Sequence, residues 1–314
     1  MTALEALAPR WRGQPGRLEV VYATVSDPDT GTGVWVHHEL VAPPEGSSHA
    51  HGFTAVFGAG EPPVVERFGP VPVSDRSAWA TADTGGARCS PPVFEGAAGR
   101  LGWDLRWDAV ADTEPLYTFP AWAWEREVLP GAQIVPVASA AWSGAVVVDG
   151  VKRELSSAAR GGVAHIYGHG NAAHWGWLHA ELGGGDVLEV VAAVSRQPGL
   201  ERLPPLAFVQ LRTGGKDWPR DPMLSAPLFR TKLGLPTWSL RGTVGRWRLR
   251  AEVELPLAQS VSVGYRDPDG ATATCTNSEL ADAEIVLEHR RSRWETAATW
   301  SLRGTAHSEI GTRP

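Results

Sequence analysis

The sequence predicts an almost entirely β-sheet protein built from two similar barrel-like halves. Three observations carry this expectation. Apolar and polar residues alternate with a period of two over many short runs, which is the pattern of half-buried strands. Glycine and proline, 35 and 25 of the 314 residues, are spread between those runs as turn punctuation. A short Trp-x-His-x-Glu motif recurs in the second half of the chain, at Trp35 and again at Trp177.

From the N-terminus, strands are expected at 18–25, 34–41 and 52–57, with Asp27-Pro28 turning the chain between the first two. In 101–109, Leu101, Trp103, Leu105, Trp107 and Ala109 share one face, and Gly102, Asp104, Arg106 and Asp108 share the other. Trp122-Ala123-Trp124-Glu125-Arg126-Glu127 reads as a strand with two rings on one side. Strands at 144–149, 174–182, 187–194 and 206–213 follow, separated by turns such as Asp149-Gly150 and the glycines 183–185. The last group is 238–254, 260–266, 281–288 and 296–303, with Asp267-Pro268-Asp269-Gly270 as a turn within it. At 281–288, Ala281, Ala283, Ile285 and Leu287 alternate with Asp282, Glu284 and Glu288, which favours a strand over a helix starting near Ser278. Many short antiparallel strands with few helices make a barrel or a sandwich.

The repeat suggests duplication. Trp35-Val36-His37-His38-Glu39-Leu40 matches Trp177-Leu178-His179-Ala180-Glu181-Leu182. Gly102-Trp103-Asp104-Leu105-Arg106 resembles Arg246-Trp247-Arg248-Leu249-Arg250, and Trp142-Ser143 resembles Trp300-Ser301. Two copies are too few for a solenoid, so paired domains are expected, at 1–140 and 141–314. A hydrophobic content of 43% over this length is ample for two cores.

Composition excludes several functions. Acidic residues outnumber basic ones by 35 to 29, a net charge of −6, which leaves no electrostatic footprint for nucleic acid or anionic lipid. No apolar run is long enough for an integral membrane segment. Residues 1–13 lack the charged start and apolar centre of a signal peptide, so a cytoplasmic location is expected. Cys89 and Cys275 stand far apart, with no disulfide or zinc-type spacing. No phosphate-cradling loop, dinucleotide fingerprint or nucleophile elbow occurs, so neither a cofactor nor a metal is expected. Both a monomer and a homo-oligomer stay open. The unusual number is 15 tryptophans beside 4 tyrosines and 7 phenylalanines. An aromatic-walled cavity for a lipophilic small molecule would account for the excess.

The segment Trp142-Ser143-Gly144-Ala145-Val146-Val147-Val148-Asp149-Gly150, then Ala159-Arg160-Gly161-Gly162, then His174-Trp175-Gly176-Trp177, carries a family resemblance. It resembles the tandem lipocalin-like proteins that include carotenoid hydratases, tocopherol cyclases and decalin-forming pericyclases. In that family a strand ending in an Asp-Gly turn is followed by a short loop and a Trp-Gly motif. The phenylalanine-proline pair that follows this glycine in the cyclases is absent. The resemblance implies two tandem lipocalin-like antiparallel β-barrel or sandwich domains, and a hydratase or cyclase of a terpenoid-like substrate. It also leaves a pericyclase, and a non-catalytic binder of lipophilic molecules, as alternatives.

Alternate side chains of a strand share a face. Trp175, Trp177, His179 and Glu181 therefore point one way, and Trp35, His37 and Glu39 form the matching face. An apolar wall raises a carboxyl pKa, so Glu181 or Glu39 is a candidate proton donor. His179 or His37 would orient that carboxyl or relay its proton. Trp35, Trp175 and Trp177 would face a developing cation. The same face also fits a structural contact that recurs because the fold recurs. His165, Tyr167 and His169 fall in a glycine-punctuated stretch read as a loop at a barrel mouth, where a ligand would enter. Trp122 and Trp124 are candidates for the barrel wall.

Overall fold

The computed structural model describes residues 1–73, 79–108, 114–127 and 129–314. Ala109, expected as the last apolar residue of a strand, lies outside the described residues. The first half contains β1 (Arg17–Asp27), β2 (Thr32–Ala42), β3 (His49–Gly58), β4 (Glu61–Pro72), β5 (Ala87–Ser90), β6 (Val93–Ala98), β7 (Leu101–Trp107), β8 (Leu116–Tyr117), β9 (Gly131–Val148), β10 (Val151–Glu154) and β11 (Arg160–Gly168). The second contains β12 (His174–Gly183), β13 (Asp186–Val194), β14 (Leu206–Thr213), β15 (Lys216–Trp218), β16 (Phe229–Lys232), β17 (Thr237–Val244), β18 (Trp247–Glu254), β19 (Val261–Arg266), β20 (Thr272–Arg290) and β21 (Trp294–Thr312).

The first sheet has 11 strands in the order β4-β3-β2-β1-β11-β9-β7-β6-β5, with β8 and β10 paired to β9. The second has 10, in the order β15-β14-β13-β12-β21-β20-β18-β17-β16, with β19 paired to β20. The two orders superpose strand by strand, so β1 corresponds to β12, β2 to β13, β11 to β21, β9 to β20 and β7 to β18. The tandem architecture is thus plain in the topology. The echo at Trp103 and Trp247 falls on the corresponding strands β7 and β18. The Trp-x-His-x-Glu pair does not, since one copy lies on β2 and the other on β12. Trp142 and Trp300 also lie on strands that do not correspond, β9 and β21. The chain passes from one sheet to the other at 169–173, and position 140 falls inside β9. The segment at Trp142, expected to open the second half, instead lies on a long strand of the first. That strand bends at Gly144, at φ +113°, where a Cβ would sit 2.0 Å from the Asp104 carbonyl oxygen on β7.

Alternation fills each barrel. Val21, Ala23 and Val25 of β1 and Val34, Val36 and Leu40 of β2 face inward onto Phe94, Leu105 and Ile134. Six tryptophans, Trp11, Trp79, Trp103, Trp107, Trp124 and Trp142, are part of this core. Much of the tryptophan excess is therefore packing in the first half. The second core is aliphatic, built on Leu178, Leu188, Val190, Leu249 and Ile285, with Trp238 as its fully buried indole. The outward faces of β1, β2 and β12 meet between the halves, through Trp35, Phe53, Trp175 and Tyr265 on one side and Leu18, Tyr22 and Trp177 on the other.

The helices α1 (Ala3–Ala6), α2 (Ala121–Arg126) and α3 (Pro222–Ser225) are all short. The Trp122–Glu127 stretch, expected as a strand, supplies α2, entered through Pro120 at φ −54°. Residues two apart on a helix lie about 200° apart around its axis, so its two rings part company. Trp124 is buried, with the Arg10 guanidinium 4.3 Å from its ring centroid, while Trp122 is 46% exposed. The expected strand 238–254 is two strands, β17 and β18, joined by a turn that places Gly245 at φ +61°. No helix among the described residues is long and apolar enough to cross a membrane.

Candidate active site between the two sheets

Both Trp-x-His-x-Glu faces point into the contact between the halves. Leu178 and Ala180 of β12 face the second core. The alternate residues Trp177, His179 and Glu181 therefore face the first half. In β2, Val36 and Leu40 face the first core, so Trp35, His37 and Glu39 face the second half.

A cavity of about 280 Å³ opens there, lined by Ser139, Gly161, His179, Glu181, Glu279 and His307 among others. The His179 Nδ1 and Glu189 Oε2, the latter from neighbouring β13, are 2.9 Å apart. Glu189 also accepts hydrogen bonds from the Trp177 indole N–H and, at 2.8 Å, from Gln133 Nε2. Burial opposes the His179 imidazolium, but the hydrogen bond and charge of Glu189 outweigh it and raise its pKa. A Cβ on Gly162 would lie 2.8 Å from His179 Cε1, so the glycine at a β-bulge of β11 makes room for the ring. Glu181 accepts a 2.8 Å hydrogen bond from Ser139 Oγ of β9. Burial pushes the Glu181 carboxyl up to about 7.

A second His–Glu pair stands in the same cavity. His307 Nδ1 and Glu279 Oε1 are 2.6 Å apart. Burial, then the nearby Glu309 charge, holds the Glu279 carboxyl well above its ordinary value. Burial, then the His179 charge, holds His307 well below its own, so this pair is neutral. Glu181 Oε1, His179 Nε2, Glu279 Oε2 and His307 Nε2 are buried and have no hydrogen-bond partner. A buried polar atom left unpaired costs about 1–3 kcal/mol. Four such atoms on residues lining one cavity mark a place built to meet a polar group. The cavity's lining contains no tryptophan. Trp177 stands behind it, with its ring centroid 4.1 Å from that of His307.

The other face is wired differently. His37 Nε2 lies 3.1 Å from Glu39 Oε2 within the same strand, and His51 Nε2 of β3 lies 3.7 Å from the same oxygen. Burial pushes His37 down to about 3 and His51 down to about 4, and raises Glu39. The His37 ring stacks on Tyr22 at 5.9 Å and meets Trp35 and Tyr265 at 5.2 and 5.4 Å. A small cavity of about 50 Å³ separates this cluster from Trp175 and Glu309. There the Trp175 indole N–H donates to Glu309 at 2.7 Å.

The remaining sequence candidates lie elsewhere. His165 is fully buried inside the first barrel, between the Ala6 carbonyl oxygen at 2.7 Å and Glu19 at 2.8 Å. Tyr167 belongs to the same core, beside Trp124. His169 sits at the rim, its Nδ1 3.0 Å from an Arg17 guanidinium nitrogen. Sequence reasoning missed Glu189, Glu279, His307 and Ser139. Glu189 carried a signal, as a carboxylate set within the apolar run Val187-Leu188-Glu189-Val190-Val191. His307 carried none, because its partner Glu279 lies on a different strand. Among the described residues no three His, Cys, Asp or Glu side chains are grouped to hold a metal ion.

Comparison with known proteins agrees with this architecture. The chain is 50% identical to the uncharacterized proteins Rv0493c and MT0513 of Mycobacterium tuberculosis, over 98% of its own length and 90% of theirs. Similar solved structures include CghA, with a TM-score of 0.59 at 13% identity, covering 95% of this chain and 88% of that one. Kievitone hydratase from Nectria haematococca gives 0.57 at 11% identity, covering 99% and 95%. A putative AttH from Nitrosomonas europaea gives 0.55 at 14% identity, covering 98% and 100%. At these identities the structures establish the fold alone, two tandem lipocalin-like β units. Residues 73–312 match the tocopherol cyclase-like family, and the chain belongs to that family.

Proposed function

We propose that the protein is a cofactor-independent enzyme acting on an apolar isoprenoid or polyene substrate, by acid-initiated hydration or cyclisation in the cavity of Glu181. The observation that carries this reading is the set of four unpaired, buried polar atoms on the two glutamate–histidine constellations that line it. Glu181, pushed up to about 7, keeps its proton near neutrality and has one oxygen free to act. The proton passes from Glu181 to one alkene carbon, the π pair forms the new C–H bond, and the neighbouring carbon becomes cationic. Water, or a hydroxyl of the substrate, attacks that carbon. The proton it sheds returns to the Glu181 carboxylate, so the acid is regenerated. The neutral His307 Nε2 is placed to orient the attacking oxygen. His179 is held against Glu189, so charge on its imidazole is countered by a neighbouring carboxyl group. Ser139 positions Glu181 by donating to its other oxygen.

The comparisons support this reading as analogy, since the family is described by a cyclase and one solved fold of this type is a hydratase. The test begins with native mass spectrometry of protein purified from its own host, followed by solvent extraction to identify the ligand class. Extracted polyenes and isoprenoid alcohols are then incubated with the protein. Hydration adds the mass of one water, and cyclisation gives an isomer. Equal conversion by Glu181→Gln and wild type would sink the acid mechanism. It would leave catalysis by orientation alone, as in a pericyclase. Tight binding without any product would make the protein a container.

A further inference from the structure

The opposite end of β1 and β2 carries a second site. The cavity of Glu181 includes Thr24 and Ser26 of β1. At the other end of that strand, Leu18 pairs with Val41, and Val41 pairs with His49. There a groove of about 610 Å³ runs between the edge of the first sheet and the β19–β20 hairpin of the second. Small-molecule sites fall in the range of about 300–1,000 Å³.

Its lining combines three chemistries. Arg67 and Arg266 bring two exposed guanidinium groups. Neither lies within ion-pair distance of a carboxylate among the described residues. The Arg67 guanidinium stands 5.6 Å from the Phe53 ring centroid. The carboxylate in the lining, Asp267, is already taken by Arg313, by Arg196 at 3.6 Å and by Asn171 at 2.7 Å. The groove is therefore cationic in a protein of net charge −6. The second chemistry is apolar, from Val41, Pro43, Pro268 and the Tyr265 ring. The third is His51, only 3% exposed, whose Nδ1 has no partner and whose Nε2 faces Glu39. Two guanidinium groups lining one groove with apolar walls, with a buried imidazole behind, fit an amphipathic anion.

We infer that this groove is a binding site for an amphipathic carboxylate, its head held by Arg67 and Arg266 and its apolar body laid against Tyr265. The site is separate from the Glu181 cavity, and the inference stands whether or not that cavity is catalytic. Tyr265 also lines the 50 Å³ cavity beside His37 and Glu39, so an occupant would rest against the inner His–Glu cluster through one ring.

The test is isothermal titration calorimetry with decanoate and with decanol, on wild type, Arg67→Gln, Arg266→Gln, the double variant and Glu181→Gln. Because both arginines are exposed, the variants are expected to fold, which far-UV circular dichroism checks. Decanoate should bind wild type at least tenfold more tightly than decanol. Each arginine substitution should weaken decanoate about tenfold, the size of one lost charge-assisted hydrogen bond. The double variant should bind the acid and the alcohol alike, and Glu181→Gln should leave decanoate affinity unchanged. The assignment is overturned if decanoate and decanol bind wild type equally, if the arginine variants keep wild-type affinity, or if Glu181→Gln alone removes binding.

Discussion

The two Trp-x-His-x-Glu faces share a motif and a location, yet their polar atoms are wired in opposite ways. On β2 the motif closes on itself, with His37 bonded to Glu39 and His51 beside them, and the other Glu39 oxygen is left unpaired next to the small cavity. On β12 the motif opens outward. His179 pairs with Glu189 of the next strand, Glu181 binds Ser139 across the interface, and each keeps one atom unpaired at a cavity. The difference follows from position in the sheet. β12 corresponds to β1, not to β2, so the two copies meet different neighbours. A motif specifies which groups share a face, while the strands beside it specify what those groups do.

That contrast can be broken experimentally. The largest effect is expected from Glu181→Gln, which should lower turnover by about 10²–10⁴-fold, the usual worth of a general acid. Glu39→Gln should change turnover by far less, and equal losses would show that the two faces act as one site. Next comes Glu189→Leu. It removes the partner of a buried imidazolium and the acceptor of Trp177 and Gln133, and should cost about 3–5 kcal/mol in urea unfolding. Loss below about 1 kcal/mol would mean that His179 is neutral in the folded protein.

The pH dependence of stability separates the faces further. His37 and His51 titrate near 3 and 4 in the fold against an ordinary 6.5. Below 6.5 the unfolded chain therefore binds protons that these rings refuse, and stability falls as pH falls. Glu181 behaves in the opposite sense. Its carboxyl is raised from 4.5 to about 7, so its contribution is fully present below 4.5 and is lost as pH rises through about 7. Each group contributes a slope of at most about 1.4 kcal/mol per pH unit. Urea unfolding from about pH 4 to about pH 8 should show His37→Gln flattening the acid side and Glu181→Gln flattening the neutral side. Exchange of those two effects would reverse the assignment. The rate should fall with rising pH through about 7, as Glu181 loses its proton.

The smallest effect is expected from Gly162→Ala. Its new methyl would press on His179 Cε1 at 2.8 Å and on the Val137 carbonyl oxygen at 2.9 Å. A loss of about tenfold in turnover with modest destabilisation is expected, as for a positioning residue displaced by a fraction of an ångström. No change would mean that the placement of the His179 ring does not matter.

Period-2 alternation is a local property, so the β-rich fold was legible residue by residue at β7, β12, β13 and β20. The same alternation placed His37 and Glu39 on one face and His179 and Glu181 on another, correctly. It did not say which face was inside. That depends on which neighbouring strands cover it, and a strand such as β2 is buried on both sides, with His38 on one face and His37 and Glu39 on the other. The stretch Trp122–Glu127 misled because two rings two apart suit a strand, whereas Pro120, at φ −54°, leads the chain into a helix.

The sequence by itself determined the class of fold and the groups sharing each strand face, because these follow from spacing along one chain. Of the sequence echoes that suggested two halves, only Trp103 and Trp247 fall on corresponding strands, so the strand order carries the tandem relation. Only the tertiary structure decided where the tryptophans go, six of them into the first core. It alone joined His179 to Glu189, His307 to Glu279 and Glu181 to Ser139, across separations of 10, 28 and 42 residues. Burial pKa shifts and unpaired atoms arise only when strands distant in sequence enclose a volume from which water is largely removed, and no periodicity along one strand records that volume.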